Sequence, residues 1–497
     1  MDKISFYNIS VPFEGYTLLY NTMSDSLIAF TNEEYSVIKS LFDNLAAFNE
    51  EYPLLYSEMK KAGFIIDDYN EKELVKFNNK LCVYENHSYH LTINPTLDCN
   101  LRCWYCSTEY AQAIHHGGMS QSIVNSLKKH IDYLVTKIRI PALHLDWFGG
   151  EPLMFYEEVI RPIAFYAKEI TTAKGVVLTQ HVTTNATLLN EGMMSEMQSL
   201  NFTSFQIPLD GNAEHHDTIK FTNTNKGTFD IVVQNLNLLP KIIPNAHITL
   251  RINYDKKTLF GITDIIPLLS ENAKKHIHVD FQKVWQINCT EKEIQQLAKV
   301  KRIFYENGLD SGYWAYKPHH YTRCYADKLH QYAINYDGRV FKCTAQDYGD
   351  DKVIGRLNDD GTIKWNNYLL SELFAHSTFD NERCLNCKAL PICMGPCIIR
   401  NFEARKSGRP IPCVFDNVQY SLQSFIIENA QKRHLTSNPQ PIGFSGILLA
   451  KQQNSFYCTY FLHNRNVADT KSPYPIKRLE VIRWFNQKSM VFNQSLS

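Results

Sequence analysis

The spacing of apolar and polar residues predicts a chain that changes character near residue 89. Before it, β-prone segments at 17–20 and 27–30 flank a turn-prone stretch, which predicts a hairpin. Apolar residues at helical spacing over 33–45 and 54–62 predict two helices. We therefore predict that residues 1–88 form a small α+β unit.

From residue 89 onward, strand-like and helix-like segments alternate. Six strand candidates follow one another, at 89–93, 143–147, 176–183, 205–209, 247–252 and 276–281. The clearest intervening helix has Ile123 and Leu127 on one face and Ser120 as its possible N-cap. A repeated β-then-α order predicts parallel strands joined by right-handed crossovers. We therefore predict an α/β fold, with a partial (β/α)6 TIM-like barrel over residues 89–300.

Composition and charge exclude several classes of protein. The 497 residues contain 51 Lys plus Arg and 51 Asp plus Glu, so the formal charge is zero. This balance argues against a binder of nucleic acid or of anionic membranes, since both require a basic surface. The chain has no apolar run long enough to span a bilayer, and its first residues do not read as a secretory signal. We expect a cytoplasmic protein.

Thirteen cysteines indicate metal or redox chemistry, because a long chain without an export signal is not expected to use them for disulfides. Cys99, Cys103 and Cys106 have the spacing CX3CX2C directly after the first strand candidate. Three thiolates on one loop can each bind one iron of a 4Fe–4S cube and leave the fourth iron open to a small chelating ligand. A zinc site that lacks one ligand, or three buried thiols, are the alternatives.

This spacing, together with Tyr105 before the last cysteine, resembles the radical SAM superfamily. The resemblance implies that S-adenosylmethionine chelates the open iron through its amino and carboxylate groups. One electron then cleaves the sulfonium, and the 5′-deoxyadenosyl radical abstracts a hydrogen atom from the substrate. An electron donor such as flavodoxin or ferredoxin is implied as a partner.

Two motifs at predicted strand ends resemble cofactor-binding motifs of the same superfamily. The stretch Gly149, Gly150, Glu151, Pro152 matches the GGEP motif. Its glycines permit close backbone approach, and its carboxylate can pair with the methionine ammonium. Thr184 and Asn185 resemble the ribose-side motif after the third strand. The alternatives are a tight turn and an ordinary polar loop.

A third motif, Asp210 followed by Gly211, resembles a signature of peptide-modifying members. Those members often have Ser two positions before the Asp, near the SAM carboxylate. Here Pro208 occupies that position and has no side-chain donor. We therefore expect Arg251, on the fifth strand candidate, to bind the carboxylate; a structural ion pair is the alternative.

Seven further cysteines between residues 301 and 435 match the spacing of the SPASM domain, a C-terminal extension of many radical SAM enzymes. The resemblance implies two auxiliary iron–sulfur clusters, one on Cys384, Cys387, Cys393 and Cys413 and the other on Cys324, Cys343 and Cys397. Structural zinc is the alternative.

Two closed cubanes would need eight ligands, and this region has seven cysteines. One auxiliary cluster is therefore open, smaller than a cubane, or completed by His319, His320 or Cys289. For the two histidines, the alternative is a solvated loop.

The resemblance to SPASM-containing enzymes implies a peptide maturase that forms a thioether or carbon–carbon crosslink in a ribosomal precursor peptide (RiPP chemistry). Residues 1–88 resemble the small leader-peptide-binding modules of such enzymes, which add a peptide to a sheet edge. An anaerobic sulfatase-maturing enzyme ranks second, because that family has Asp where this chain has Thr344. A non-catalytic iron–sulfur or zinc peptide-binding partner is a third possibility. No catalytic base is predicted, and residues 436–497 form a basic tail without an assigned role.

Overall fold

A computed structural model describes most of the chain, namely residues 1–106, 116–222, 224, 226–284, 286–287, 290–312, 316–417 and 421–433. Cys289 and the predicted tail over 436–497 lie outside these residues. Among the residues described, no helix is both long and apolar enough to cross a membrane.

The N-terminal segment is a three-stranded antiparallel meander followed by helices. Its elements are β1 (Lys3–Ile4), β2 (Asn8–Phe13), β3 (Tyr16–Asn21), β4 (Ser26–Thr31), α1 (Asn32–Leu41), α2 (Leu45–Glu51), α3 (Pro53–Lys61), β5 (Ile65–Ile66) and α4 (Glu71–Tyr84). The meander has the order β2-β3-β4, and β1 pairs with β5. The predicted hairpin is β3–β4. The helix predicted over 33–45 ends at Leu41, and the Asn44 side chain caps a separate helix, α2, that the sequence analysis did not predict.

The central segment contains all six predicted parallel strands. Its elements are β6 (Tyr89–Ile93), β7 (Leu101–Arg102), α5 (Gln121–Asp132), β8 (Ala142–Trp147), α6 (Arg161–Lys174), β9 (Val177–Thr183), α7 (Glu191–Ser199), β10 (Phe202–Pro208), α8 (Ala213–Ile219), β11 (Phe221–Thr222), α9 (Phe229–Ile242), β12 (His247–Tyr254), α10 (Thr258–Gly261), α11 (Glu271–His276), β13 (Ile277–Lys283) and α12 (Glu291–Glu306). The strand order β6-β8-β9-β10-β12-β13 confirms the predicted α/β class with a central parallel sheet.

The sheet continues beyond the six predicted strands, which the sequence analysis did not anticipate. The C-terminal elements are β14 (Gln331–Ile334), β15 (Arg339–Phe341), β16 (Gly355–Leu357), β17 (Ile363–Trp365), α13 (Asn367–Phe374), α14 (Glu382–Leu385), α15 (Leu390–Cys393), α16 (Ile398–Lys406) and α17 (Leu422–Lys432). Strand β14 lies parallel to β6 and extends the sheet to ten strands. These strands have three or four residues, too few for a readable periodicity.

Shorter helical segments of 3₁₀ or π type complete the described secondary structure. They lie at Tyr133–Ile138, Pro152–Phe155, Tyr156–Ile160, Ile262–Leu268, Tyr325–Asp327, Asp350–Lys352, Thr378–Asp380 and Val414–Asn417.

The N-terminal meander packs against the C-terminal segment. The Lys388 ammonium donates to the carbonyl of Asn8 at 2.9 Å, and the Arg433 guanidinium donates to the Asp25 carboxylate at 2.9 Å. Both Asp25 and Arg433 are almost fully buried. Because breaking such a pair leaves an uncompensated buried charge, this contact holds the meander firmly in place.

Candidate functional site

The loop that leaves β6 brings the first three cysteines together. The Asp98 carboxylate accepts hydrogen bonds from the backbone N–H groups of His116 and Gly117, at 2.8 and 3.0 Å. Burial, with the nearby Glu151, Cys103 and Cys106 adding to it, raises the pKa of Cys99 to about 12. Crowded thiols of this kind become thiolates when a metal supplies positive charge. The donor set therefore fits an iron–sulfur cluster, although the ligand assignment stays a prediction.

Gly149 and Gly150 lie against the backbone of this cysteine loop. The Gly150 N–H donates to the Thr96 carbonyl at 3.1 Å. A Cβ atom at Gly149 would lie 2.2 Å from the Thr96 oxygen, and one at Gly150 would lie 2.0 Å from the Asp98 oxygen. Glycine is thus required here by contact with the chain itself, whereas the sequence analysis explained it by approach to a ligand.

Glu151 is fully buried and ties neighbouring loops together. Its carboxylate accepts hydrogen bonds from the Thr184 hydroxyl and the Asn185 N–H, both at 2.7 Å, and from the Leu153 N–H at 3.0 Å. Burial raises its pKa to about 7, and these bonds oppose the shift. Both oxygens already have partners in the chain, so the observed role is to fix the loops after β8 and β9. Its predicted pairing with the methionine ammonium stays a prediction.

The predicted residues after β9 lie beside the first cysteine. The Asn185 amide donates to Asn100 at 2.8 Å and lies 3.8 Å from the Cys99 sulfur. Thr184 is almost fully buried, and its hydroxyl also accepts from the Ala186 N–H. Pro152 is buried at the start of the helical segment Pro152–Phe155, where its missing N–H costs no hydrogen bond.

A buried polar group forms the opposite side of the cysteine loop. The Tyr105 hydroxyl donates to the Asp210 carboxylate. The Lys220 ammonium lies 3.3 Å from Asp210 and 3.5 Å from the Cys103 sulfur. Burial would lower the pKa of Lys220, but Asp210, Cys103 and Tyr105 raise it well above its ordinary value. Lys220 is therefore a buried cation beside the predicted cluster ligands.

Arg251 joins this group through Asn253. The Arg251 guanidinium donates to the Asn253 side chain at 2.9 Å, and the Asn253 N–H donates to Asp210 at 3.1 Å. Arg251 lies opposite Pro208 in the register of β10 and β12. The structure thus brings together the predicted residues at these strand ends, and their contacts to S-adenosylmethionine stay predictions.

The SPASM-like cysteines fall into two neighbourhoods. The pKa of Cys324 is raised to about 11 by burial, then by Asp327, and also by Cys343. Burial also raises the pKa of Cys397 to about 11, with Asp327 and Cys324 adding to the shift. The Asp327 carboxylate accepts from the N–H groups of Cys324 and Ile398, at 2.9 and 2.8 Å, and so holds this loop. Cys324, Cys343 and Cys397 are therefore neighbours.

The second neighbourhood contains the other four cysteines. Burial raises the pKa of Cys384 to about 11, with Cys413 and Cys387 adding to the shift. Cys393 has Cys387 and Cys384 among the groups that raise its pKa. Arg323, which is 5% exposed, lies near thiols of both neighbourhoods. The grouping matches the ligand sets that the resemblance implied, while the clusters themselves stay predicted.

The eighth ligand remains a prediction. Burial lowers the pKa of His320 to about 4, and the cations that add to this shift include Lys317 and Lys328. His319 has a left-handed backbone, with φ at 62°. Within the described residues, no three His, Cys, Asp or Glu side chains surround a common point at single-ion distances.

Sequence reasoning missed several buried residues around these cysteines. Lys220, Asn253 and Asp327 contact the predicted ligands or their loops, and Lys342, which is 1% exposed, donates to the Gln331 carbonyl at 2.5 Å near Cys343. In the sequence, a single Lys, Asn or Asp does not stand out from the many other polar residues. Burial, which distinguishes them, is a property of the fold.

Comparison with known proteins finds a family match for the central segment. Residues 93–258 match the family model of the radical SAM superfamily. These residues include the first cysteine loop, both glycines, Glu151 and the strand ends after β8 to β12.

Two curated relatives differ in reaction. The chain is 30% identical over 148 residues to the serine-type anaerobic sulfatase-maturating enzyme of Bacteroides thetaiotaomicron. The matched region is 29% of this chain and 34% of that protein. The match thus spans about a third of that relative's length. The chain is 21% identical over 432 residues to the radical SAM cyclopropyl synthase TigE of Paramaledivibacter caminithermalis, which covers 76% of this chain and 86% of that protein.

One solved structure shows the same fold. It is native anSMEcpe with bound AdoMet and Cp18Cys peptide, with a TM-score of 0.50 and 18% identity, over 70% of this chain and 98% of that one. At this identity the likeness establishes the architecture.

Proposed function

We propose that this chain, a radical SAM enzyme by its matched central domain, is a maturase that installs a thioether or carbon–carbon crosslink in a ribosomally made precursor peptide. When bound, S-adenosylmethionine and a 4Fe–4S cluster supply a radical that abstracts a hydrogen atom from the substrate. The residues of the chain supply orientation and a dry, buried environment.

The residues around the first three cysteines would have different roles. Cys99, Cys103 and Cys106 would hold the 4Fe–4S cluster, on a loop anchored by Asp98. Glu151 locks the neighbouring loops in one arrangement. Lys220 places a cation 3.5 Å from the Cys103 sulfur, where it also pairs with the Asp210 carboxylate. The auxiliary clusters would lie on the two other cysteine neighbourhoods.

The N-terminal meander carries the peptide part of the proposal. Its two edges are strands β2 and β4, because the order is β2-β3-β4. The Thr22 N–H donates to the Tyr7 carbonyl and the Asn32 N–H donates to the Gly15 carbonyl. Because hydrogen-bonded and non-hydrogen-bonded positions alternate along antiparallel strands, these two bonds show which residues of β2 and β4 bond to β3. In this alternation, the backbone N–H and C=O groups of Leu27 and Ala29 in β4 point away from β3. In β2, the C=O groups of Ser10 and Pro12 and the N–H of Ser10 do the same.

The two edges therefore differ in what they can bind. Pro12 has no N–H and blocks strand addition on β2, as prolines do on protected edges. Strand β4 has no proline and is followed directly by α1 to α3. Leu27 is fully buried, so an extended leader segment would add to β4 at Ala29, which is partly exposed, by main-chain hydrogen bonds. This edge asymmetry is the observation on which the peptide assignment rests.

The location of the meander supports the same assignment. It packs on the segment that carries the four-cysteine neighbourhood, through the contact between Lys388 and Asn8. Cys387 adds to the elevated pKa of the buried Tyr7. A leader held at β4 would thus keep the peptide tethered to the same body that carries the clusters, at high effective concentration.

An electron donor of the flavodoxin or ferredoxin type completes the proposed set of partners. We expect the enzyme to act in the cytoplasm, where thiols stay reduced.

The experiment uses anaerobically reconstituted enzyme, dithionite, S-adenosylmethionine and a candidate precursor peptide encoded beside the gene. Formation of 5′-deoxyadenosine together with peptide that has lost two hydrogens supports the proposal. Turnover of S-adenosylmethionine with unmodified peptide, for every neighbouring peptide tested, would overturn the crosslinking assignment.

Formylglycine formation is the second candidate, favoured by the match at 30% identity. A sulfatase-derived Cys or Ser peptide, used as the parallel substrate, separates the two reactions. Thr344 contacts the Tyr325 hydroxyl at 2.6 Å and supplies no carboxylate, which ranks this candidate below the crosslink.

A further inference from the structure

Four ionisable side chains share the interior of the barrel. Along β8, the alternate residues Leu143, Leu145 and Trp147 pack into the hydrophobic core with the helices. His144 and Asp146 therefore face the opposite side of the sheet, which is the barrel interior. In register, His90 pairs with His144 and His181 pairs with Asp146. The lumen cluster is defined as His90, His144, Asp146 and His181.

Asp146 is the centre of the lumen cluster. Its two carboxylate oxygens lie 3.5 Å from His90 Nε2 and 3.8 Å from His181 Nε2. These three side chains are each 18% exposed, so they line a space within the barrel. Within the described part of the chain, the nearest acceptor of His90 Nε2 is thus the Asp146 carboxylate, and Asp146 Oδ1 has no closer hydrogen-bond partner. A buried carboxylate oxygen without a close hydrogen-bond partner requires an explanation, and a polar group bound inside the barrel would supply one.

The charges in the cluster suit proton uptake. Burial would raise the pKa of Asp146, but His181 and His90 lower it to about 2. Burial lowers the pKa of His144 and of His181. A carboxylate beside an imidazole is the arrangement in which a histidine accepts a proton and the carboxylate stabilises the product.

The lumen cluster contacts residues next to each of two predicted cluster sites. On one side, His181 Nε2 lies 3.2 Å from the Thr183 hydroxyl, next to the loop of Thr184. On the other side, the His90 ring lies 5.7 Å from the ring of Tyr325. Tyr325 contacts Thr344, directly after Cys343. A group in the barrel would thus lie between the Thr183 side, next to the loop of Thr184, and the Tyr325 side, next to the residue that follows Cys343.

We propose that His90, positioned by Asp146, accepts the proton that the peptide loses when the crosslink closes. This inference rests on the proposed function. Joining a C–H carbon to an X–H atom removes two hydrogens. One leaves as a hydrogen atom to the 5′-deoxyadenosyl radical. The other would leave as a proton to His90 and as an electron, for which an iron–sulfur cluster in its oxidised state would be the acceptor, so that charge and atoms balance.

The test compares H90Q and D146N with H247Q, a histidine exposed at the start of β12. The measured quantity is the ratio of crosslinked peptide to 5′-deoxyadenosine in the reconstituted enzyme. We expect this ratio to fall about 10²-fold in H90Q and in D146N, the lower range for loss of a general base, and to stay unchanged in H247Q.

A second measurement does not depend on turnover. In cluster-free protein labelled with ¹³C-histidine, the His90 signal is assigned by its absence in H90Q. We expect D146N to shift that signal, because the carboxylate fixes the tautomer. Peptide affinity and the free energy of unfolding of each variant are measured alongside to identify a merely structural loss.

Each outcome is decisive. Wild-type enzyme that forms no crosslink overturns the proposed function and this inference with it. Wild-type enzyme that forms the crosslink, with an unchanged ratio in H90Q and D146N, overturns the inference alone. A fall in the ratio matched by an equal fall in peptide affinity also overturns it, since the cluster would then bind and not accept protons.

Discussion

The ammonium nitrogen of the buried Lys220 lies 3.5 Å from the sulfur of the partly buried Cys103, and the two residues belong to the connections that follow β6 and β10. The short pair of β7 with β11 joins these two loops. A fixed positive charge is therefore part of the thiol site before any metal enters. Because the charge belongs to the chain, it can be removed by substitution.

Replacing Lys220 with Met should destabilise the cluster-free protein by about 3 kcal/mol, because Asp210 would be left as an uncompensated buried carboxylate. Lys220→Arg should lose less, since the charge is kept. Urea unfolding measures the difference. Lys226→Met, at an exposed position nearby, is the control and should change stability little. Equal stability of all three variants would contradict a structural role for the cation.

Replacing Gly150 with Ala should destabilise the protein by about 1–3 kcal/mol, as overpacking against backbone does. The added Cβ would lie 2.0 Å from the Asp98 carbonyl oxygen, on the loop that leads to Cys99. Gly192→Ala is the matched control, since its nearest neighbour is 3.4 Å away in helix α7, where Ala is favoured. Thermal unfolding of the two variants is the measurement. A Gly150→Ala protein as stable as Gly192→Ala would contradict the close approach.

Stability should fall as the pH decreases from about 6.5 to 4, partly through His130. Burial lowers the pKa of this histidine to about 4, and its ring contacts the Gly361 carbonyl and the Tyr332 hydroxyl at 2.7 Å. Between these pH values the unfolded chain binds a proton that the folded state does not, so His130 contributes stability above pH 6.5 that is lost on acidification. The full difference is roughly 3 kcal/mol.

The measurement is the free energy of unfolding at pH 7 and at pH 5 for wild type, His130→Gln and His87→Gln. We expect the decrease between the two values to be smaller in His130→Gln than in wild type. His87 is exposed, so its variant should keep the wild-type decrease. The same pH dependence in all three proteins would show that His130 is not responsible.

Ala29→Pro should weaken binding of a leader peptide at least tenfold, because it removes an N–H that strand β4 directs outward. Ser10→Pro makes the same change on the other edge, β2, without touching the proposed site. Fluorescence anisotropy with a labelled precursor peptide gives both affinities. Thermal unfolding shows whether each variant is folded. Comparable losses in the two folded variants would rule out β4 as the docking edge.

Much of the barrel could be predicted from local patterns. The six strands alternate or run apolar over five to eight residues, a signal that the hydrophobic effect imposes on any strand with one face in the core. Ser120 caps α5 as its residue type predicts. Strands β14 to β17 escaped prediction because three or four residues do not define a period.

The cysteine spacings by themselves determined the chemistry to be expected of this protein, because ligand types at short separations are brought together by the local loop whatever the rest of the chain does. Only the tertiary structure decided which distant side chains surround those thiols. Lys220 reaches Cys103 across 117 positions of sequence, and Asp146 meets His90 and His181 from neighbouring strands. Such contacts arise from strand order and register, and their energies depend on burial, which no local pattern encodes.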